Sequence, residues 1–419
     1  MWHRRTKAVF GSTAVVGVMV ALWVALGQSS GAHERGTVTL TVGVTRSTAL
    51  AGLAEEYRRV APHVRIRITT TPIDAYQTVM RTRLASGRAP DLLTIWPGNG
   101  NSMSAAQIAP LGVLADLSDT AYGRSVPAAA RPLLGTDGRV RLWTPGSNVV
   151  GALYNRAVFR RAGVTVPRTW GELLAACDRL RQAGVAPIAV GNQTPWVAQL
   201  IDYALAPTHA YARDPHLDRE LRAGRTTFAR SGWREALTRY VELSRRGCYQ
   251  ADPNGTSLER AEAMVARGEA AMTVLVGPAH TSLHALNPEG EFGIFPFPAA
   301  DRAEDLRVAA GIASGLGVNA RSPRLPEALR FVEFLARPEN TRRFNAEAQN
   351  LALDGSSGAA FLEPFVPYVR AGRTVPFPDQ LWPNADTQRE HIAVAQDLLA
   401  GRETIDGGLR RMDRAYALR

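Results

Sequence analysis

Lysine is almost absent from this 419-residue chain: of 49 basic residues one, Lys7, is lysine and the other 48 are arginine. That skew fits a genome rich in G and C and carries no chemistry of its own. The formal net charge of +11 falls by three, to +8, once Arg4, Arg5 and Lys7 are set aside, and the remaining arginines are scattered among 38 acids. A nucleic-acid protein would gather them on one stripe with aromatics between, so nucleic acid is excluded as a partner. Cysteine is scarce too: Cys177 and Cys248, 71 positions apart, are too few for a thiolate metal cluster or a disulfide knot. They allow one pairing, and a bridge and two buried thiols both remain open, because spacing does not supply the Cα separation a bridge needs. Among the eight histidines, His280 and His284 sit four apart, but no glutamate completes a zinc-protease pattern, so no metal site is expected. Catalytic signatures are missing as well. Gly311-Ile312-Ala313-Ser314-Gly315 has the wrong spacing for a nucleophile elbow, and neither a dinucleotide fingerprint nor a phosphate loop occurs. A glycosidase needs two opposed carboxylates, for which Asp91, Glu172, Asp202 and Asp379 are the available acids, but no pattern pairs them. The chain is not expected to be an enzyme.

What is present begins with the first thirty residues. Arg4, Arg5 and Lys7 precede nineteen uncharged residues, Ala8 to Leu26, and a polar stretch from Gln28 follows. This reads as an export signal. Nineteen apolar residues just reach the length that spans a bilayer, so residues 1–32 are a cleaved signal peptide or a retained anchor, and retention is the expectation. Cleavage would fall after Gly27 or Ala32. Basic residues ahead of the span keep the N-terminus inside and place the rest of the chain outside the cell. No cysteine stands at the end of the leader, which excludes lipidation there and leaves a membrane-anchored or secreted protein. With 45 % hydrophobic and 21 % charged residues, the remainder is a packed globular body.

From Thr37 short β-rich runs alternate with amphipathic helices, the pattern of α/β layers with parallel strands. Strands are predicted at 38–44, 64–70, 92–95, 149–154, 188–190, 270–276 and 292–297. One glycine-interrupted strand is expected over 309–318. Ser47 and Asp74 are placed as caps of the first two helices, and Thr169 with Glu172 forms a capping box for a third. Trp170 and Trp233 open amphipathic helices and are assigned to the core.

Several phrases then have a familiar order: Leu84-Ala85-Ser86-Gly87-Arg88-Ala89-Pro90-Asp91, Gly151-Ala152-Leu153-Tyr154-Asn155, Val166-Pro167-Arg168-Thr169-Trp170, Arg267-Gly268-Glu269-Ala270-Ala271-Met272, Phe295-Pro296-Phe297-Pro298 and Glu327-Ala328-Leu329-Arg330-Phe331. In this order the chain resembles the carbohydrate-binding, maltose-binding-protein-like group of extracellular solute-binding proteins of ABC importers. The resemblance implies a type II periplasmic-binding-protein fold, α/β, with two lobes and a ligand cleft between them. Lobe one would be 37–145 with 306–350, and lobe two 146–305 with 351–419. It further implies a monomer that captures a mono- or oligosaccharide, meets ABC permease subunits in the membrane and uses no cofactor. A peptide, polyamine or anion receptor of the same fold, or a membrane-anchored sensor, is the alternative. One departure is plain: where the family commonly carries a tryptophan after Gly-Pro, this chain reads Gly277-Pro278-Ala279.

Sugars offer an apolar face of C–H groups edged by hydroxyls, so a site for them needs aromatic planes and paired hydrogen-bonding groups. Trp96 and Trp196 follow strands, and Trp382 stands where the resemblance puts a stacking aromatic. Arg46 and Ser47 end the first strand, where free helix N–H groups suit a hydroxyl. Asn99 lies in the turn-rich loop after Trp96, and Asn192 and Gln193 precede Trp196. The resemblance adds Asn148 in a hinge strand and Gly311, where backbone would approach the solute.

Overall fold

The computed structural model describes residues 37–46, 48–355 and 359–418, apart from the side chain of Asp74. The leader and Ser47 therefore lie outside the described residues. Two sheets organise the chain. The smaller has four strands in the order β2-β1-β3-β9: β1 Val38–Val44, β2 Val64–Thr70, β3 Leu92–Ile95 and β9 Gly315–Val318. β1 pairs parallel with β2 and β3, and β9 returns antiparallel on β3 with Leu92 opposite Val318. The helix Thr48–Val60 buries Leu50, Leu53, Ala54 and Tyr57 against this sheet. Tyr57 lies 5.0 Å from both Phe331 and Phe334 of the helix Leu325–Leu335, closing the smaller core.

The larger sheet runs β10-β8-β4-β6-β5: β4 Ser147–Asn155, β5 Ala186–Ala189, β6 Ala270–Val276, β8 Val308–Ile312 and β10 Thr374–Val375. β7, Phe292–Phe295, pairs with the C-terminal half of β4. Its strands are continuous apolar runs, as expected of a sheet covered on both faces. Cys177, in the helix Trp170–Gln182, is disulfide-bonded to Cys248 inside this core, with Cα atoms 5.3 Å apart. Trp170 and Trp233 are buried there as well.

Three local expectations change. The run 309–318 is two strands in two different sheets, because residues 313–314 carry the chain from the larger sheet to the smaller. The second helix is Ile73–Ala85, so the capping position falls on Pro72, which supplies no side-chain cap, and residue 74 is already inside the first turn. In the 169–172 box Thr169 Oγ1 accepts the Glu172 amide at 3.3 Å, while Glu172 accepts from the Arg168 amide at 2.7 Å, one residue earlier than a capping box requires.

The passages between sheets lie side by side. Trp143 and Leu316 exchange backbone hydrogen bonds of 3.0 and 2.8 Å, and Ser147 and Leu351 do the same at 2.8 and 2.9 Å. Thr144 Oγ1 donates to the carbonyl of Ala313 at 2.9 Å. A Cβ on Gly315 would lie 1.8 Å from the Trp143 carbonyl oxygen, so only glycine allows the passages this spacing.

Candidate functional site

Parallel strands present their carboxyl ends together, and the loops leaving them line the crevice of an open α/β sheet. Here β1 ends in Thr45 and Arg46, β3 in Trp96, and β6 leads to Pro278, while β5, parallel to β6, is followed by the turn carrying Trp196. All of these line one cleft of about 540 Å³ between the two sheets. Asn148, the second residue of β4, lines it as well. A late segment, after β10, adds Phe377 and Asp379, and the helix Ala385–Leu399 adds Gln388, Arg389 and Ile392.

Four of the residues anticipated from sequence meet in this cleft: Arg46, Trp96, Asn148 and Trp196. Trp96 is half-buried and rests edge-on against Tyr76, with ring centroids 5.7 Å apart. Trp196 is half-buried against the larger core, and its Nε1 has no hydrogen-bond partner; nor does Asn148 Oδ1. Arg46 stays accessible, yet the cleft walls strip away enough water to lower its pKa, an effect that the carboxyl of Glu262 opposes. Burial in turn pushes the Glu262 carboxyl up to about 7, against the pull of Arg46 and a hydrogen bond from Ser282.

The other anticipated residues have different places. Trp382 is 1 % exposed, packed among Tyr203, Phe228, Trp233 and His391, so it is a core aromatic and offers no plane to a solute. Asn192 is fully buried: its Nδ2 donates to the Tyr240 hydroxyl at 3.0 Å, and its carbonyl accepts from Gln396 at 2.7 Å. Gln193 is exposed and does not line the cleft. Asn99 is held between Gln107, which donates to its Oδ1 at 2.7 Å, and the carbonyl of Pro383. Gly311 pairs with Asn148 across β4 and β8, but its missing side chain makes room for a ring rather than a solute. A Cβ there would lie 2.5 Å from Phe377.

Sequence reasoning missed the polar floor. Asp379 is 8 % exposed, and burial pushes its carboxyl up to about 6, while the adjacent Tyr203 hydroxyl pulls it back. Gln388 Nε2 lies 3.2 Å from both Asp379 Oδ2 and Gln199 Oε1, an amide bridge across the floor. Gln380 clasps the end of β8, accepting from Ile312 N at 3.2 Å and donating to Ile312 O at 2.8 Å, which fixes the segment that carries Phe377 and Asp379. The one available signal was the Phe377-Pro378-Asp379-Gln380 run after a strand. The glutamines sit on helix faces that read like any solvated face.

Below the floor, His391 Nε2 and Asp202 Oδ2 lie 3.0 Å apart, both fully buried. Tyr203 stacks on the His391 ring, its centroid 5.8 Å away. His280 and His284 face each other at 3.1 Å beside Phe361, and no group of three or more metal-ligating side chains occurs among the described residues. No helix among those residues is long and apolar enough to cross a membrane.

The geometry, aromatic planes and amides at the strand ends between two α/β sheets, agrees with the comparisons. Residues 43–342 match the family model described as bacterial extracellular solute-binding protein. The multiple sugar-binding protein of Streptococcus mutans is 23% identical over 80% of this chain and 79% of its own length. The melibiose/raffinose/stachyose-binding protein MelE of Bacillus subtilis is 23% identical over 75% and 73%. Among solved structures, RafE in complex with raffinose superposes with a TM-score of 0.74 at 19% identity, covering 91% of this chain and 99% of that one. A chitin oligosaccharide binding protein gives 0.77 at 18%, covering 91% and 98%. The chain belongs to the bacterial extracellular solute-binding protein family.

Proposed function

We propose that the protein is the external receptor of an ABC sugar importer, closing its cleft on a mono- or oligosaccharide and presenting the closed form to permease subunits. The observation that carries this reading is the make-up of the cleft. Trp96 lines it from the smaller sheet and Trp196 and Phe377 from the larger, with Asn148, Gln199, Asp379 and Gln388 between them. Aromatic planes match the C–H faces of a pyranose, and amides with a carboxylate match its hydroxyls. A polyamine would need several acids among the aromatics, and among the described side chains Asp379 is the one acid that lines the cleft.

Lobe one, expected as 37–145 with 306–350, gives up 306–312 in this reading, because β8 pairs within the larger sheet, and lobe two is the rest. Ligand preference for the closed arrangement shifts the open–closed equilibrium. The basic and apolar leader exports the chain, and Ala8 to Leu26 holds it at the outer face of the membrane. The test is calorimetry and thermal shift of residues 33–419 against raffinose, stachyose, chitotriose and monosaccharides, with peptides and polyamines in the same panel. A sugar at a hundred times its Kd stabilises by about 2.7 kcal/mol. Stabilisation by a peptide or polyamine and by no sugar overturns the proposal.

A further inference from the structure

The loop after β3 meets the late segment on the opposite side of the cleft, backbone against backbone. A Cβ on Gly98 would lie 2.3 Å from the Gln380 carbonyl oxygen, and one on Gly100 would lie 2.1 Å from that of Asp379. Between them, Asn99 Nδ2 donates to the carbonyl of Pro383 while its Oδ1 accepts from Gln107. Each side of this contact is tied to a different sheet. The loop is held by Gly98 N to Leu133 O at 2.7 Å and Ala106 N to Gly98 O at 3.1 Å, within the smaller body. The late segment is held by Gln380 on β8, by Trp382 in the larger core and by Arg222, which donates to Leu381 O at 2.5 Å.

We propose that Gly98, Asn99 and Gly100 are positioning residues that latch the two sides of the cleft together and set the gap between Trp96 and Asp379. Trp96 lies two residues before the loop, and Asp379 supplies one of its landing carbonyls, so one contact fixes both walls of the site. Two bare glycines let the backbones approach closer than any side chain permits, and the single asparagine gives the approach its direction. The contact is made of glycine backbone, one side-chain amide and carbonyl oxygens, so it holds without a charge pair and is insensitive to salt. This inference rests on the cleft closing on a solute, as proposed above, but does not require that solute to be a sugar.

Gly100→Ala is the clean probe, because Gly100 is outside the left-handed region and its backbone accepts alanine, whereas Gly98 has a φ of 73° and is strained by any substitution. Gly171→Ala, whose Cβ meets nothing within 4 Å, is the control. Raffinose and stachyose serve as probes in calorimetry, and amide hydrogen exchange is followed in peptides spanning 97–101 and 378–384, with and without sugar. The latch predicts at least tenfold weaker sugar binding in Gly100→Ala with an unchanged apo Tm. It also predicts faster exchange in those two peptides together and nowhere else. Asn99→Ala shifts both readouts the same way by less. Exchange in the two peptides identical to wild type under every condition overturns the latch. So does an apo Tm that falls along with exchange across the whole larger body, since the glycine would then be packing. If wild type binds no sugar the sugar reading fails by itself, and the exchange of the unliganded variants still decides the latch.

Discussion

Acidification should release the ligand through Asp379, and the size of the effect follows from its surroundings. Burial raises this carboxyl to about 6. As a carboxylate it accepts hydroxyl protons, and once protonated it loses that capacity on the oxygen that holds the proton. With a midpoint near 6, roughly one molecule in eleven is ionised at pH 5 against nearly all at pH 7.5, so affinity falls about tenfold over that range. The fold responds in the opposite sense. A carboxyl whose folded pKa is raised binds its proton more tightly in the native state, so its contribution to stability is present at low pH and is lost as pH climbs from about 4 to about 6. The shift from 3.8 to about 6 corresponds to about 2–3 kcal/mol. Relative to Asp379→Asn, wild type should gain apo stability on acidification through that window while it loses sugar. Glu262, raised to about 7, titrates nearby and calls for Glu262→Gln as a parallel background. Calorimetric titration with raffinose at half-unit pH steps, paired with urea unfolding of the apo protein, separates the two slopes. Wild-type affinity that is flat from pH 7.5 to 5, or an Asp379→Asn variant that keeps the pH dependence, refutes the reasoning.

Replacing Trp196 or Phe377 by alanine should weaken sugar binding by about 1–3 kcal/mol and lower the apo Tm less than Trp382→Ala does, because both rings are only partly buried on the larger core, as calorimetry and a melting curve will show. Trp382→Ala should instead cost about 3–5 kcal/mol of stability, because it empties a fully enclosed aromatic site; an apo Tm within two degrees of wild type would contradict that. Asp202→Ala leaves the buried His391 ring without its hydrogen-bond partner and should cost about 1–3 kcal/mol in urea unfolding. Cys177→Ser opens a loop closed across 71 residues and, by chain entropy, should cost roughly 4 kcal/mol, read as a lower denaturant midpoint.

How far the sequence led depends on whether a feature is local. The strands 38–44, 64–70, 92–95 and 270–276 begin and end where the sequence pattern places them: 38–44 and 64–70 by alternation, 92–95 and 270–276 as continuous buried apolar runs. The 309–318 run misleads for the same reason: both halves are apolar, and nothing in the pattern records that Ala313 and Ser314 change sheets. Trp96 and Trp196 were legible because a tryptophan just beyond a strand has no helix face to bury it. Trp382, flanked by Leu381 and Pro383, was singled out only by where the resemblance puts a stacking aromatic. Its burial depends on Tyr203, Phe228, Trp233 and His391, which come from distant helical stretches and show no periodic relation to it. Asn99 stands out by its neighbourhood, and the structure gives its amide to a backbone carbonyl instead of a solute.

The distribution of site residues along the chain bears on what family membership can say about the ligand. The matched span ends at residue 342, whereas Phe377, Asp379, Gln388 and Arg389 lie beyond it. The matched span supplies most strands of the two sheets, the passages at 143–147 and 313–316, and the aromatic residues at strand ends. These features dictate that a cleft exists and that it has aromatic walls. The late segment supplies the buried carboxyl of Asp379 and, in Gln388, the amide that bridges the floor. It also supplies the carbonyls on which the Gly98–Gly100 loop lands. That segment contributes only the two-residue strand β10 to a sheet, so its side chains can change without disturbing strand order. In the proposed reading, capture rests on the common sheets and selectivity on the late segment. The two meet at Gln380, which binds the end of β8 through its side chain and the Gly98 loop through its backbone.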